Sequence, residues 1–182
     1  MSLRVFAALP IPEEIADEAL ELMDEQVPGA NWRPVENLHV TLAFYGDLDE
    51  PVIEELDHEL AAISIPRFEL QLSGAGHFGK GRPSALWLGV EAGPNLTDLA
   101  RRCRKAGARA GVEMERRKFL PHMTIAYLTP GVELVRVQRF EQRNALFKSA
   151  AWTADRFHLY SSHARKPGVP NAYELEADYP LV

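Results

Sequence analysis

One six-residue phrase occurs twice in the chain, as His39-Val40-Thr41-Leu42-Ala43-Phe44 and as His122-Met123-Thr124-Ile125-Ala126-Tyr127. Each copy reads His, apolar, Thr, apolar, Ala, aromatic. Side chains alternate faces along a strand, so a strand carrying this phrase puts His and Thr on one side and the apolar pair on the other. Two such strands set side by side aim two imidazoles and two hydroxyls into one shared space. A shuffled chain with 6 His and 46% apolar residues holds two His-apolar-Thr-apolar tetrads roughly once in a thousand trials or less. The repeat is therefore a constraint on the fold: whatever the chain forms must place two like strands to mutual effect.

The segments around the phrases alternate between strand and helix patterns. Leu3 to Leu9 reads as a strand. Pro12 opens a helix whose apolar face is Ile15, Ala19, Leu22, Met23 and Gln26, and Pro28-Gly29 ends it. Leu38 to Tyr45 is a strand closed by Gly46. Asp49 serves as N-cap of a helix with a stripe of Ile53, Leu56, Leu60 and Ile63. Residues 68–74 alternate as a half-buried strand, 76–83 (GHFGKGRP) form a loop, and 85–90 form another strand. A helix follows over about residues 95–110, apolar at Leu96, Leu99, Ala100, Cys103, Ala106 and Ala110 and basic at Arg101, Arg104, Lys105 and Arg109. The second phrase is a strand stopped by Pro130-Gly131. A helix over 133–140, strands at 157–160 and 173–179, and a loop over 163–171 complete the chain.

Each phrase is a strand followed by a turn and a helix, an internal repeat of roughly 80 residues. Several strands bury one face only, which favours antiparallel sheets with helices outside. The expected fold is α+β: two pseudo-symmetric lobes, each an antiparallel sheet with helices outside, facing across a central cleft within a single domain over residues 1–182.

Composition narrows the function. The single cysteine, Cys103, rules out an internal disulfide and a cysteine zinc site, and its place on a helix's inner face makes it a buried thiol. No run of residues approaches a membrane span and no signal peptide is evident, so the expectation is a cytoplasmic protein with no membrane attachment. A net charge of −6 disfavours a broad surface tracking nucleic acid but leaves room for a pocket holding one phosphate or a strand end.

Two histidines flanking one substrate suit hydrolysis of a phosphodiester. One takes a proton from the attacking water, and the other gives one to the leaving oxygen on the opposite side. The threonine beside each offers an O–H donor to a phosphate oxygen. His58, His77, His158 and His163 read as solvated or hydrogen-bonded residues, and Trp32, Trp87 and Trp152 as packing residues.

The phrases resemble the paired H-x-T-x motifs of the 2H phosphoesterase superfamily. WRPVENLHVTLAFYGDL, FLPHMTIA and LYSSHARKPGVPNAYELEADYPL resemble its RNA 2′,3′-cyclic phosphodiesterase (2′-5′ RNA ligase) branch, over nearly the whole chain from Arg4 to Leu181. The resemblance implies a bilobal fold and cofactor-free, metal-independent opening of ribonucleoside 2′,3′-cyclic phosphates to 2′-phosphates, with reversible 2′-5′ joining of RNA ends as a side activity. By motif order it implies His39 as general acid, His122 as general base, and Thr41 and Thr124 as holders of the phosphate oxygens. Its partners would be RNA 3′ ends or small cyclic nucleotides, with no obligatory protein partner and a monomeric state. Phe44, Phe78 and Tyr127 are candidate substrate contacts. Family members often carry Arg where Tyr127 stands, and Lys80, Arg82, Lys118 and Arg165 are the candidates to supply that charge from loops. The alternatives are the same fold acting on ADP-ribose cyclic phosphate or a 2′-5′ oligonucleotide, and a nucleotide-binding module without turnover.

Overall fold

The computed structural model describes residues 1–23 and 27–182. In chain order its elements are β1 (Ser2–Pro10), α1 (Glu13–Leu20), β2 (Ala30–Trp32), β3 (His39–Asp49), α2 (Glu50–Ala61), β4 (Phe68–Phe78) and β5 (Ala85–Ala92). These are followed by α3 (Pro94–Arg109), β6 (His122–Leu128), α4 (Leu134–Arg143), β7 (Trp152–Ala154), β8 (Arg156–His163) and β9 (Ala172–Pro180). A single 3₁₀ turn, Val35–Asn37, leads into β3. No helix among the described residues is long and apolar enough to cross a membrane.

The strands form two antiparallel sheets, the first in the order β3-β1-β8-β9 and the second β2-β6-β5-β4-β7. The fold is thus α+β with two antiparallel sheets, as expected. The sheets are not consecutive halves of the chain, however. The first unites strands from both termini, and the second takes the middle of the chain. The two phrases lie in different sheets, on β3 and β6, which pack beside each other where the sheets meet. Helices α2 and α3 pack on the first sheet and α4 on the second. Buried residues of both sheets belong to one continuous apolar cluster.

Why α3 crosses to the first sheet is visible in its sequence. Leu96, Leu99, Ala100, Cys103, Ala106 and Gly107 recur at helical spacing and are all buried. The Tyr45 hydroxyl of β3 donates to the Cys103 carbonyl at 2.9 Å. Gly107 leaves the space that the Tyr45 ring fills.

Both phrases carry a β-bulge at the same place. In β3, Thr41 opposes Ala8 and Ala43 opposes Ala7, so Leu42 is the extra residue. In β6, Thr124 opposes Trp87 and Ala126 opposes Leu86, so Ile125 is extra. A bulge breaks the two-residue period. Leu42 and Ala43 are both buried, as are Ile125 and Ala126, and the aromatic that follows swings back to the His-Thr side. Strict alternation would have put Phe44 and Tyr127 on the apolar face; instead they are about half exposed, at 47% and 48%.

Several expected boundaries shift. Helix α1 stops at Leu20, although Leu22 and Met23 still pack on the core, and Gln26 lies outside the described residues. Strand β3 continues through Gly46, whose φ of 81° serves a second bulge, and runs on to Asp49. Asp49 precedes α2 but makes no side-chain cap bond. Residues 76–78, expected in a loop, belong to β4 because its glycines make room rather than turns. Gly76 is buried beneath the Trp87 ring, and Gly74 (φ 67°) sits at a bulge. The short β2 and β7, three residues each, leave too little pattern to read.

A side chain at Gly76 would overlap the Trp87 ring, whereas one at Gly81 would meet nothing within 4 Å. Gly76→Ala is therefore expected to lower stability by about 1–3 kcal/mol through overpacking. Gly81→Ala should leave it within about 0.5 kcal/mol, both read from urea denaturation midpoints.

Candidate active site

Where the sheets meet, side chains of both wall a cavity of about 250 Å³. The first sheet contributes Arg4 and Phe6 of β1, His39, Thr41 and Phe44 of β3, Ser162 of β8 and Tyr173 of β9. The second contributes Thr124 and Tyr127 of β6. Arg33, Asn37 and Asn171 come from the connecting segments. No carboxylate of the described residues is among the wall residues, although the chain as a whole carries a charge of −6. His122 is not one of the wall residues. It stands two positions before Thr124, on the same face of β6.

The two histidines are held in the same way. His39 Nδ1 lies 2.7 Å from the carbonyl of Asn37, and His122 Nδ1 lies 2.7 Å from the carbonyl of Leu120. Each partner is two residues back along the chain. A carbonyl only accepts, so each Nδ1 carries hydrogen and each neutral ring presents a bare Nε2. At His39 that nitrogen accepts from the Thr41 hydroxyl at 3.0 Å. Aromatic rings bracket each imidazole. Phe6 and Tyr173 lie 4.9 and 5.5 Å from His39, centroid to centroid, and Phe78 and Trp87 lie 4.9 and 6.1 Å from His122. Phe78 is thus packed edge-on against His122 and does not wall the cavity.

Burial dominates the electrostatics. It pushes the His39 imidazole down to about 4, opposed by the Asn37 carbonyl and helped by the positive charges of Arg33 and His122. Burial also lowers His122, against the favourable bond to the Leu120 carbonyl. Both shifts favour the neutral ring.

Each phrase-ending aromatic carries a guanidinium over its ring. Arg4 lies 4.8 Å from the Phe44 centroid and Arg33 lies 4.8 Å from that of Tyr127. Arg4 is paired with Asp47 at 3.1 Å. Lys80, Arg82, Lys118 and Arg165 are the residues expected to supply the charge that Tyr127 lacks. All four are exposed, and none walls this cavity. Arg165 lines a neighbouring groove that shares Asn37, Asn171 and Tyr173 with the cavity. The sequence reading passed over Arg33, Arg4, Asn37, Asn171 and Tyr173. Arg33 and Asn37 stand within the same stretch as His39, and Asn171 and Tyr173 within the C-terminal stretch, but no periodicity marks any of them. Asn37 is buried and donates to the Asn171 carbonyl at 2.9 Å, and Asn171 donates to Ser162 at 3.0 Å. This ties the C-terminal loop to the entrance of β3.

A profile of the 2′-5′ RNA ligase superfamily matches residues 11–166. The chain belongs to that superfamily. Among its relatives is a Thermotoga maritima protein named RNA 2′,3′-cyclic phosphodiesterase, 31% identical over 172 residues, covering 88% of this chain and 87% of the relative. An Escherichia coli protein of the same name is 34% identical over 125 residues, 67% of this chain and 70% of that one. The crystal structure of Escherichia coli LigT complexed with 3′-AMP superposes with a TM-score of 0.79 at 25% identity, covering 100% of this chain and 99% of that one. Among the described residues, the group of His, Cys and acidic side chains close enough to hold a metal is His163 with Glu174 and Glu176. It lies on β8 and β9, and none of its members walls the superfamily cavity.

The depressed His39 pKa has a consequence for folding. An unfolded chain protonates this histidine near 6.5 and the folded one only near 4. The stability it contributes is complete above pH 6.5 and is lost as pH falls from 6.5 towards 4, with a slope of about 1.4 kcal/mol per pH unit at most. The His39→Gln protein is expected to show a shallower acid decline over that window when urea denaturation is followed against pH.

Proposed function

We propose that the chain is an RNA 2′,3′-cyclic phosphodiesterase that opens the cyclic phosphate to a 2′-phosphate by paired-histidine acid–base catalysis, without a metal. The observation that carries this reading is the cavity wall: imidazole, hydroxyl and guanidinium groups with, among the described residues, no carboxylate, in an otherwise acidic chain. Such a wall suits a phosphate monoanion and makes a poor ligand set for a divalent metal. The superfamily relatives named for this activity, and a structural relative solved with a nucleoside monophosphate, support the same substrate class.

In the proposed reaction His122 Nε2 takes a proton from water as the water oxygen attacks phosphorus. The P–O3′ bond breaks, and His39 Nε2–H protonates the departing 3′ oxygen. The product is a 2′-phosphate with a free 3′-hydroxyl, and solvent exchange resets both rings. A 5′-hydroxyl in place of water gives 2′-5′ joining by the same proton movements. Thr41 and Thr124 donate to the non-bridging oxygens. Thr41 is bonded to His39 Nε2 in the empty site, so it becomes available to phosphate when that nitrogen gains its proton. The negative charge of the substrate supplies what a protonated His39 lacks in the empty site, offsetting the burial that holds the ring neutral.

Two outcomes test this. With 2′,3′-cyclic AMP under EDTA, His39→Ala and His122→Ala should each lose on the order of 10²–10⁴-fold in kcat while retaining the folded circular dichroism spectrum. Full activity in either variant would remove that histidine's role. The pH profile of kcat/KM reports the free enzyme, which needs one ring protonated and one neutral. Because both values lie below 6.5, the maximum is expected on the acid side of pH 6.5, with activity falling towards alkaline pH. A maximum at pH 8 would contradict the acid–base assignment.

A further inference from the structure

Arg33 is the cavity's most deeply placed charge, with 9% of its surface exposed. Among the described residues no carboxylate pairs with it, whereas Arg4, the other guanidinium on the wall, is matched by Asp47. An uncompensated buried cation is strongly unfavourable, and proteins keep one where a ligand brings the counter-charge. The surroundings hold Arg33 in place without neutralising it. Its backbone N–H donates to the carbonyl of Ile125, the bulge residue of the second phrase, at 2.8 Å. Its guanidinium carbon lies 4.8 Å over the centroid of the Tyr127 ring, and Tyr173 stands on the same cavity wall. It is also close enough to His39 for its charge to oppose that ring's protonation.

We propose that Arg33 is the phosphate receptor of the cavity, contacting the non-bridging oxygens of the cyclic phosphate with its planar fork and stabilising their charge as the P–O3′ bond breaks. The inference rests on the phosphodiesterase reading of the same cavity. Tyr127 acts as a platform for the guanidinium. A guanidinium suits this task because it meets two phosphate oxygens at once, which an ammonium does not. Phosphate binding in turn neutralises one of the charges that add to burial in opposing His39 protonation, so the group that binds the substrate also eases the ring's uptake of its proton.

The experiment compares wild type with Arg33→Gln, Arg33→Lys and the double variant Arg33→Gln/Tyr127→Arg, each first checked for folding by circular dichroism. Inorganic phosphate binding by calorimetry, kcat/KM for 2′,3′-cyclic AMP, and the His39 imidazole titration by NMR are measured on each. Arg33→Gln is expected to weaken phosphate at least tenfold, to lower kcat/KM by on the order of 10²–10³-fold and to raise the His39 pKa. Arg33→Lys should recover part of the loss. In the double variant, a guanidinium rising from the platform should recover at least tenfold in phosphate affinity. A folded Arg33→Gln protein that binds phosphate and turns over within threefold of wild type overturns the proposal. If Arg33→Gln does not fold, the lysine variant decides: wild-type phosphate affinity and kcat/KM in that protein also overturn it, because a point charge would then serve as well as the fork. Phosphate binding that depends on Arg33, in a wild-type protein that hydrolyses no cyclic nucleotide, would leave Arg33 as a receptor and remove the phosphodiesterase reading. Hydrolysis indifferent to Arg33 would do the reverse.

Discussion

Both aromatic platforms of the cavity depend on one backbone irregularity made twice. The bulges at Leu42 and Ile125 put two consecutive residues, rather than one, on the apolar side of each strand. Without them, His39, Thr41 and Thr124 would still face the cavity and His122 would keep its place on the Thr124 side of β6, but Phe44 and Tyr127 would point into the core. The platforms for Arg4 and Arg33 would be gone. The bulge carbonyl of Ile125 also receives the Arg33 N–H, so the distortion of one phrase anchors the segment that leads into the other. The small Ala after each bulge residue fits this geometry, because two neighbouring side chains must share the buried side.

The second theme is charge. Each imidazole is locked by a carbonyl two residues earlier, bracketed by rings and dried by burial, which fixes its tautomer and lowers its affinity for a proton. In the free protein the site is a pair of bases that burial keeps from protonation, beside a guanidinium that no carboxylate of the described residues matches. It lacks an anion, and a phosphodiester is an anion whose bonds need an acid and a base on opposite sides. In the proposed reaction the substrate's charge completes these electrostatics.

Much of this was legible in the residues. The doubled phrase, the strand assignment of both copies, the inner face of α3 and the α+β class all follow from periodicities of two and 3.6; the cavity gathers His39, Thr41 and Thr124, while His122 is not on its wall and Phe44 and Tyr127 reach it only through the bulges. What escaped had physical reasons. A bulge changes which face a residue occupies without changing composition. Gly76 and Gly46 look like loop residues, yet one makes room for Trp87 and the other serves a bulge. The association of β1 and β3 with β8 and β9 joins segments more than a hundred residues apart, which no local pattern encodes. Arg33 resembles any surface arginine until its burial and its missing counter-charge are seen.

The central claim is that the site holds two neutral imidazoles that a bound phosphate makes able to share a proton. The most direct measurement is an imidazole ¹⁵N NMR titration of His39 and His122, in the empty protein and with a bound 2′-nucleotide. The account predicts both rings titrating below 6.5 when empty, His39 near 4, and a rise in the His39 value on binding. A His39 that titrates at or above 6.5 in the empty protein, or that does not respond to the bound phosphate, would contradict it.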